Sequence, residues 1–436
     1  MANPDEALAD VVMRTRVGQA AAFRRYDRSI KTPMNFVLDR ARKQVDQDFD
    51  VYWIDGGLPE LFSLTGLAKP IVGYSTRYVE LLYFVRKAVV SAALDAALLQ
   101  DMAERVCLRV MAEFALRDGS ADWAVRAVLQ SMIGETIHVA DIPGTALMDM
   151  EAQPIEEAYM ATWFFGLAHE VGHLRSAHPN AAQLPDNLIL RALEASVAEW
   201  PHAPTSLKAD VLTKAREGDP EYGLSVARLR SEAQSDIFAA SVLFQAAVDI
   251  APEVGRTFQL SDFVLETYIV LNLVILIERC QRVARMADNL DEFDAAARME
   301  FALHPVSYAV RLRMIKFYLG QSIARIMFSA TQPNAEQVEE CIQLVTDIWS
   351  HMQAAALTAD AGMSKAMRFA LFPGERPSDL MRKFARELMR SDNTTFQLMQ
   401  AEHFVKLAGS FGVESESVKV LQRIIEAQSP RRGRRK

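Results

Sequence analysis

Residues Glu156 to His178 read "EEAYMATWFFGLAHEVGHLRSAH". Met160, Trp163, Phe164, Leu167, Val171 and Leu174 recur at three- and four-residue spacing, the period of one buried helix face. Two glutamates open the stretch, where they suit the positive end of a helix dipole, and Pro179 follows it. Gly172 inside such a helix costs about 1 kcal/mol relative to alanine, so its presence predicts a close neighbour against that turn. His169 and His173 are four residues apart, which on a helix places both imidazoles on one face and within reach of a single ion. Glu170 lies beside them, the position of a general base acting on a metal-activated water. The alternative is two histidines that share a helix face by coincidence; the apolar back of the helix argues for the metal.

A catalytic zinc takes three protein ligands and keeps its fourth position open. Continuation of the motif as HExxHxxGxxH is excluded, because Ser176 and Pro179 stand where that pattern needs glycine and histidine. His178 is five residues beyond His173, where a helix turns it away from the ion. A later helix offers a better donor. "LRSEAQSDIFAASVLF", Leu229 to Phe244, carries Glu232 and, one turn on, Asp236. The glutamate can ligate the metal, while the aspartate accepts the free N–H of a ligand histidine and fixes its tautomer. Glu194, in "LRALEASVAEW", is nearer in sequence but has no aspartate partner.

HEVGH followed by SEAQSD resembles the gluzincin metallopeptidases, whose second signature is a Glu-x-x-x-Asp on the helix after the active-site helix. "FALHPVSYAVRLRMI", with His304 and Arg311, is similar to the His-Pro…Arg segment of the CAAX-prenyl-protease and heat-shock membrane protease branch. The resemblance implies a zincin-like catalytic core binding Zn2+, with His304 and either Arg311 or Arg313 facing the site to stabilise an oxyanion. The chain departs from that branch in lacking its transmembrane helices, so a membrane setting and a prenylated substrate do not carry over. The overall layout also resembles the Lit-type phage-exclusion peptidases, which implies a trigger-activated defence role. The matched motifs cover roughly residues 159–315.

The rest of the 436 residues bounds these readings. Half are hydrophobic and 24% charged, the balance of a folded globular chain. The net charge is −8, although the last eight residues, "SPRRGRRK", carry five positive charges, so the body is strongly acidic. Nucleic acid is not expected as a partner apart from contacts to that tail. Cys107, Cys280 and Cys341 are odd in number and far apart, which fits a reducing compartment and a cytoplasmic location better than a disulfide framework. The most apolar run, Tyr268 to Ile277, ends at Glu278 and Arg279, short of the roughly 20 residues a membrane span needs.

The expected fold class is mostly α (α+β). Short strands at Val51–Ile54 and Ile71–Tyr74, with two more in Ile137–Met150, form a small sheet before the active-site helix. Helices are expected at Arg77–Leu99, Asp101–Leu116, Leu224–Val248, Ser261–Ala287 and Ala309–Phe328, with C-terminal helices in Ala335–Leu357 and Asp379–Leu407. This divides the chain into an α+β region over 1–150, a helical core over 151–330, a helical region over 331–428 and a basic disordered tail over 429–436. The Ile137–Met150 strands would offer an edge on which an extended peptide could be laid. The function expected is a soluble intracellular zinc endopeptidase acting on a protein or peptide. A non-catalytic zinc-stabilised helical interaction protein is the rival, but a structural zinc has no use for Glu170. His138, His202, His351 and His403 lack partners at ligand spacing.

Overall fold

The computed structural model describes residues 4–19, 21–26, 33–45, 47–55, 57–67, 69–78, 81–82, 96–134, 161–176, 183–200 and 204–218. It further describes residues 225–253, 255, 257–286, 293–328, 332–371, 375–390 and 395–432. Helix α1 (Pro4–Val17), strand β1 (Ala22–Arg25) and helix α2 (Pro33–Arg42) lead into strands β2 (Asp50–Asp55), β3 (Leu61–Leu64) and β4 (Ile71–Ser75). Two helices follow, α3 (Ala96–Arg117) and α4 (Ala121–Met132). A 3₁₀ turn at Ala161–Phe164 then feeds α5 (Phe165–Ser176). Helices α6 (Asp186–Ala198), α7 (Thr205–Glu217), α8 (Val226–Glu253), α9 (Leu260–Met286) and α10 (Phe293–Met327) come next. The C-terminal helices are α11 (Ala335–Leu371), α12 (Pro377–Arg390), α13 (Thr395–Ser410) and α14 (Glu416–Arg432).

The strands form a four-stranded mixed sheet in the order β1-β2-β4-β3. β2 and β4, the β-branched runs, pair in parallel from Asp50↔Ile71 to Ile54↔Ser75. β3 is antiparallel to β4, with Leu61 opposite Tyr74 and Leu64 opposite Ile71. β4 is buried along its whole length, as expected for a central strand covered on both faces. The Tyr74 hydroxyl donates to the Trp163 carbonyl over 2.9 Å, fastening the sheet to the turn that starts α5.

One buried apolar cluster takes in Val51 and Val72 of the sheet, Leu167, Val171 and Leu174 of α5, Phe238 and Val242 of α8, and Phe404 and Leu421 near the C-terminus. A smaller cluster, around Ile189, Leu193, Leu229 and Val310, packs α6 against the starts of α8 and the middle of α10. Val226–Glu253 and Leu260–Gln281 are long and apolar enough to cross a membrane by length and composition, yet 61% of the most apolar window of each is buried inside the fold.

The observed elements differ from the sequence reading at several places. β1 and β3 were not expected, nor were α1, α2, α4, α6, α7 and α14. The helix that carries HEVGH begins at Phe165 after a 3₁₀ turn, and residues 151–160 and 177–182, including His178, lie outside the described residues. So do the Ile137–Met150 strands and most of Arg77–Leu99. α10 starts at Phe293 rather than Ala309 and continues through Pro305. Of the pair or triplet of helices expected in Ala335–Leu357 and Asp379–Leu407, the structure has the triplet, α11, α12 and α13, with α11 running on to Leu371. α14 reaches Arg432, so four residues of the expected disordered tail are helical.

Candidate metal centre

α5 crosses α8 at Gly172. A Cβ built on that glycine would lie 2.8 Å from the Ser235 Cα and 3.1 Å from its carbonyl oxygen. The two backbones can therefore approach only because residue 172 has no side chain, the close neighbour that a glycine in mid-helix implied. This approach sets the register between the helices: His169 and His173 on α5 face Glu232 and Asp236 on α8.

Three donor atoms converge. His169 Nε2 is 3.0 Å from His173 Nε2, Glu232 Oε2 lies 3.4 Å from His169 Nε2, and it is 4.0 Å from His173 Nε2. Metal–nitrogen bonds of about 2.0–2.1 Å in tetrahedral geometry put neighbouring ligand atoms about 3.3 Å apart. The donor set, two imidazoles and a carboxylate, fits a zinc-type ion at these separations. Glu170 also lies close, its carboxylate falling with the two imidazoles inside a 4.8 Å group. Two carboxylates thus flank the histidine pair. Glu232 is the better ligand because one of its oxygens lies within 4.0 Å of both Nε2 atoms. Glu170 is instead held from the sheet: Ser63 Oγ donates to its Oε2 over 3.0 Å.

The outer contacts orient the imidazoles. His169 Nδ1–H donates to Asp236 Oδ1 at 2.8 Å, which leaves Nε2 to face the other donors. His173 Nδ1 is 3.0 Å from Ser235 Oγ, a hydroxyl that can accept from Nδ1–H and leave Nε2 toward the other donors. Asp236 is fully buried. Its charge is matched by Arg311, whose Nε and Nη2 donate to Oδ2 and Oδ1 at 2.6 and 2.9 Å. Arg311 Nη1 donates to Glu278, at 3.0 and 3.1 Å from its two oxygens.

The electrostatics follow from this packing. Burial disfavours a charge on His169, but its hydrogen bonds to Asp236 and Glu232 prevail and raise its pKa from 6.5 to about 10. Burial and the adjacent His169 push His173 down, so it is the neutral member of the pair. Burial also opposes the charges of Asp236 and Glu232, but Arg311 and the His169 bond outweigh it and hold both carboxyls below their usual range.

His169, His173, Glu170, Glu232 and Asp236 are therefore brought together. Arg311 reaches the cluster in another role: its donor nitrogens are committed to Asp236 and Glu278, so it positions Asp236 and is not free to meet an oxyanion. Arg313 points elsewhere, paired with Glu199. His304 lies on α10, but its side chain is outside the described residues. Glu194 pairs with Arg216 at 2.6 Å, away from the cluster. Sequence reasoning missed Ser235, Ser63 and Glu278. Ser235 had a signal, since it precedes Asp236 and lies one helical turn from Glu232. Ser63 had none.

Leu61 and Ser63 show how the sheet serves the site. The Leu61 side chain occupies the space that a Cβ on Gly166 would fill, and Ser63 meets Glu170 four residues further along α5. Two strand residues advance about 6.6–6.8 Å and four helical residues about 6 Å. β3 therefore runs alongside the helix in matched step, and it pairs only with β4 among the described residues.

Comparison with protein-family models, with curated proteins and with solved structures finds no match to this chain.

Proposed function

We propose that this chain is a zinc-dependent endopeptidase of the gluzincin kind, with a zincin-like core, working in a reducing intracellular compartment. The observation that carries the reading is the meeting of His169 Nε2, His173 Nε2 and Glu232 Oε2 within 3.0–4.0 Å of one another, with Asp236 behind His169. His169, His173 and Glu232 would hold the ion. When bound, it supplies Lewis acidity, which acidifies water and polarises a carbonyl.

The chain's own residues do the rest. Glu170, oriented by the Ser63 hydroxyl, takes a proton from the attacking water and returns it to the leaving amine. Asp236 keeps the His169 imidazole in the tautomer that presents Nε2, and Ser235 accepts from His173 Nδ1–H when that ring presents its own Nε2. β3 supplies an edge beside Glu170 on which an extended peptide can be aligned through backbone hydrogen bonds, the part expected of the Ile137–Met150 strands. Three buried cysteines, none of them in a disulfide, support the reducing compartment.

The test combines metal analysis with cleavage of a proteome-derived peptide library. Wild type should carry about one zinc per chain and cleave the library. Glu232→Ala should lose the metal. Glu170→Gln should keep the metal and lose at least about a hundredfold in kcat. Full activity in Glu170→Gln would remove the base, and with it the peptidase assignment.

A further inference from the structure

A cleft of about 370 Å³ opens between α9, α10 and α11, and none of its lining residues belongs to the metal centre. α10 and α11 touch at Gly320, where a Cβ would come 2.5 Å from Ile342 Cγ1 and 3.1 Å from its backbone nitrogen. The cleft begins one helical turn from that contact, at Lys316 on α10 and Thr346 on α11. Arg313 lies two residues beyond Arg311, about 200° around the helix. Arg311 therefore reaches Asp236 while Arg313 faces the cleft. On the far side Tyr268 stacks on Trp349 with ring centroids 5.1 Å apart, and the indole Nε1 donates to the Val264 carbonyl over 3.0 Å. This wall is fixed by the fold itself.

Charge in the cleft is unbalanced. Its lining holds two cations, Arg313 and Lys316, and one carboxylate, Glu199, which pairs with Arg313. Lys316 has no ion-pair partner among the described residues, and its Nζ lies 5.8 Å from the centroid of the Trp349 ring. Burial and the neighbouring Arg313 push its pKa below the usual lysine value, as expected of an ammonium short of a counter-charge. Such a cation is out of character in a chain of net charge −8. Glu199 shows that Arg313 takes an oxyanion here, yet its side chain is 71% exposed and can turn into water at small cost.

A single group that satisfied both cations would need two negative charges. A phosphate monoester carries about −1.5 to −2 at pH 7, and its oxygens suit both the fork of a guanidinium and the point charge of an ammonium. A cavity of about 150 Å³ holds a benzene ring, so the cleft also has room for a flat apolar body against Leu312 and Tyr268. We propose that the cleft binds a small organic phosphate monoester, its phosphoryl group held between Arg313 and Lys316 in place of the Glu199 carboxylate. The site stands on residues outside the metal centre, so it holds whether or not the chain is a peptidase.

Isothermal titration calorimetry of the full chain with phenyl phosphate tests this. Benzoate, which has the ring and one charge, and inorganic phosphate, which has the charge and no ring, serve as comparisons. Phenyl phosphate should bind saturably and at least about tenfold more tightly than either. Lys316→Gln should weaken it by about 10–100-fold. Glu199→Gln should tighten it by about two- to fivefold, because the competing carboxylate is gone; a damaged fold would not produce that gain. Phosphate esters can also bind metal ions, so Glu232→Ala is titrated alongside and should bind as wild type does. Absence of saturable binding, benzoate binding as tightly, insensitivity to either charge change, or loss in Glu232→Ala overturns the site.

Discussion

His169 is the residue on which the site's chemistry turns, because its two nitrogens face different demands. Nδ1 is fixed on Asp236, while Nε2 meets His173 and Glu232. With its pKa raised to about 10, His169 in the metal-free site carries a second proton at neutral pH, on Nε2, among the same atoms that would bind zinc. Zinc must displace that proton. Apparent zinc affinity should therefore rise about tenfold per pH unit between about pH 7 and pH 9 and level off near His169's own pKa. His173, already neutral because its pKa is pushed down, adds nothing to the slope. Competition against a chelator at three pH values reads the slope directly; a flat response would mean that Asp236 and Glu232 do not hold the proton there. Arg311 enters the same ledger from behind. Replacing it with leucine leaves Asp236 buried with one partner fewer, and breaking a buried pair costs about 3–5 kcal/mol. Urea denaturation of Arg311→Leu should show a loss of about that size. Zinc affinity should fall by about 10–100-fold as the aspartate loses its fixed place. Unchanged affinity would make Arg311 a purely structural residue.

At the scale of elements, the crossing of α5 and α8 decides whether these residues meet at all. Gly172→Ala is the discriminating change. Helix propensity alone predicts stabilisation by about 1 kcal/mol. The new methyl would, however, press on Ser235 backbone at 2.8 Å, and backbone cannot step aside as a flexible side chain can. Overpacking costs about 1–3 kcal/mol, so the net effect should run from neutral to about 2 kcal/mol destabilising. Zinc affinity should drop further than stability, because Ser235 and its neighbours carry the site. A stabilised variant with full zinc affinity would show that the helices can separate freely. The same crossing explains what the sequence made legible. HEVGH and SEAQSD could be read because each is a local pattern at helical spacing, and Gly172 betrayed the contact between them. Leu61–Leu64, "LFSL", and Ala22–Arg25, "AFRR", are short runs without polar alternation. They become strands only through pairing with β4 and β2, partners that a local pattern does not reveal. α10 was expected only from Ala309, yet it starts at Phe293 and runs through Pro305, a residue that local pattern reads as a helix start rather than an interior position. Arg311 was singled out as facing the site, but spacing along one helix could not tell that it would approach from behind Asp236.

For the whole molecule, the question is what metal removal does to the fold, and the answer separates a catalytic from a structural ion. Small zinc domains unfold without their metal because the ion substitutes for a core. Here the helices that carry the candidate ligands sit in a buried cluster that extends from Met34 to Ile425, so the fold should not depend on an ion to bring them together. The ligands also have a substitute for it. In the metal's absence protonated His169 links Asp236 through Nδ1–H and His173 and Glu232 through Nε2–H, and Arg311 keeps the aspartate paired. Zinc at a hundredfold excess over its dissociation constant would stabilise the folded state by about 2.7 kcal/mol. For a chain of this size that is a shift of a few degrees in Tm. Treatment with a chelator should therefore abolish peptide cleavage, lower Tm by that modest amount, and leave the near-ultraviolet circular dichroism of the five tryptophans intact. Adding zinc back should restore activity without a refolding phase. Loss of the near-ultraviolet signal on chelation would place the ion among the structural elements of the fold, and Glu170 would then stand beside a zinc with no chemistry to perform.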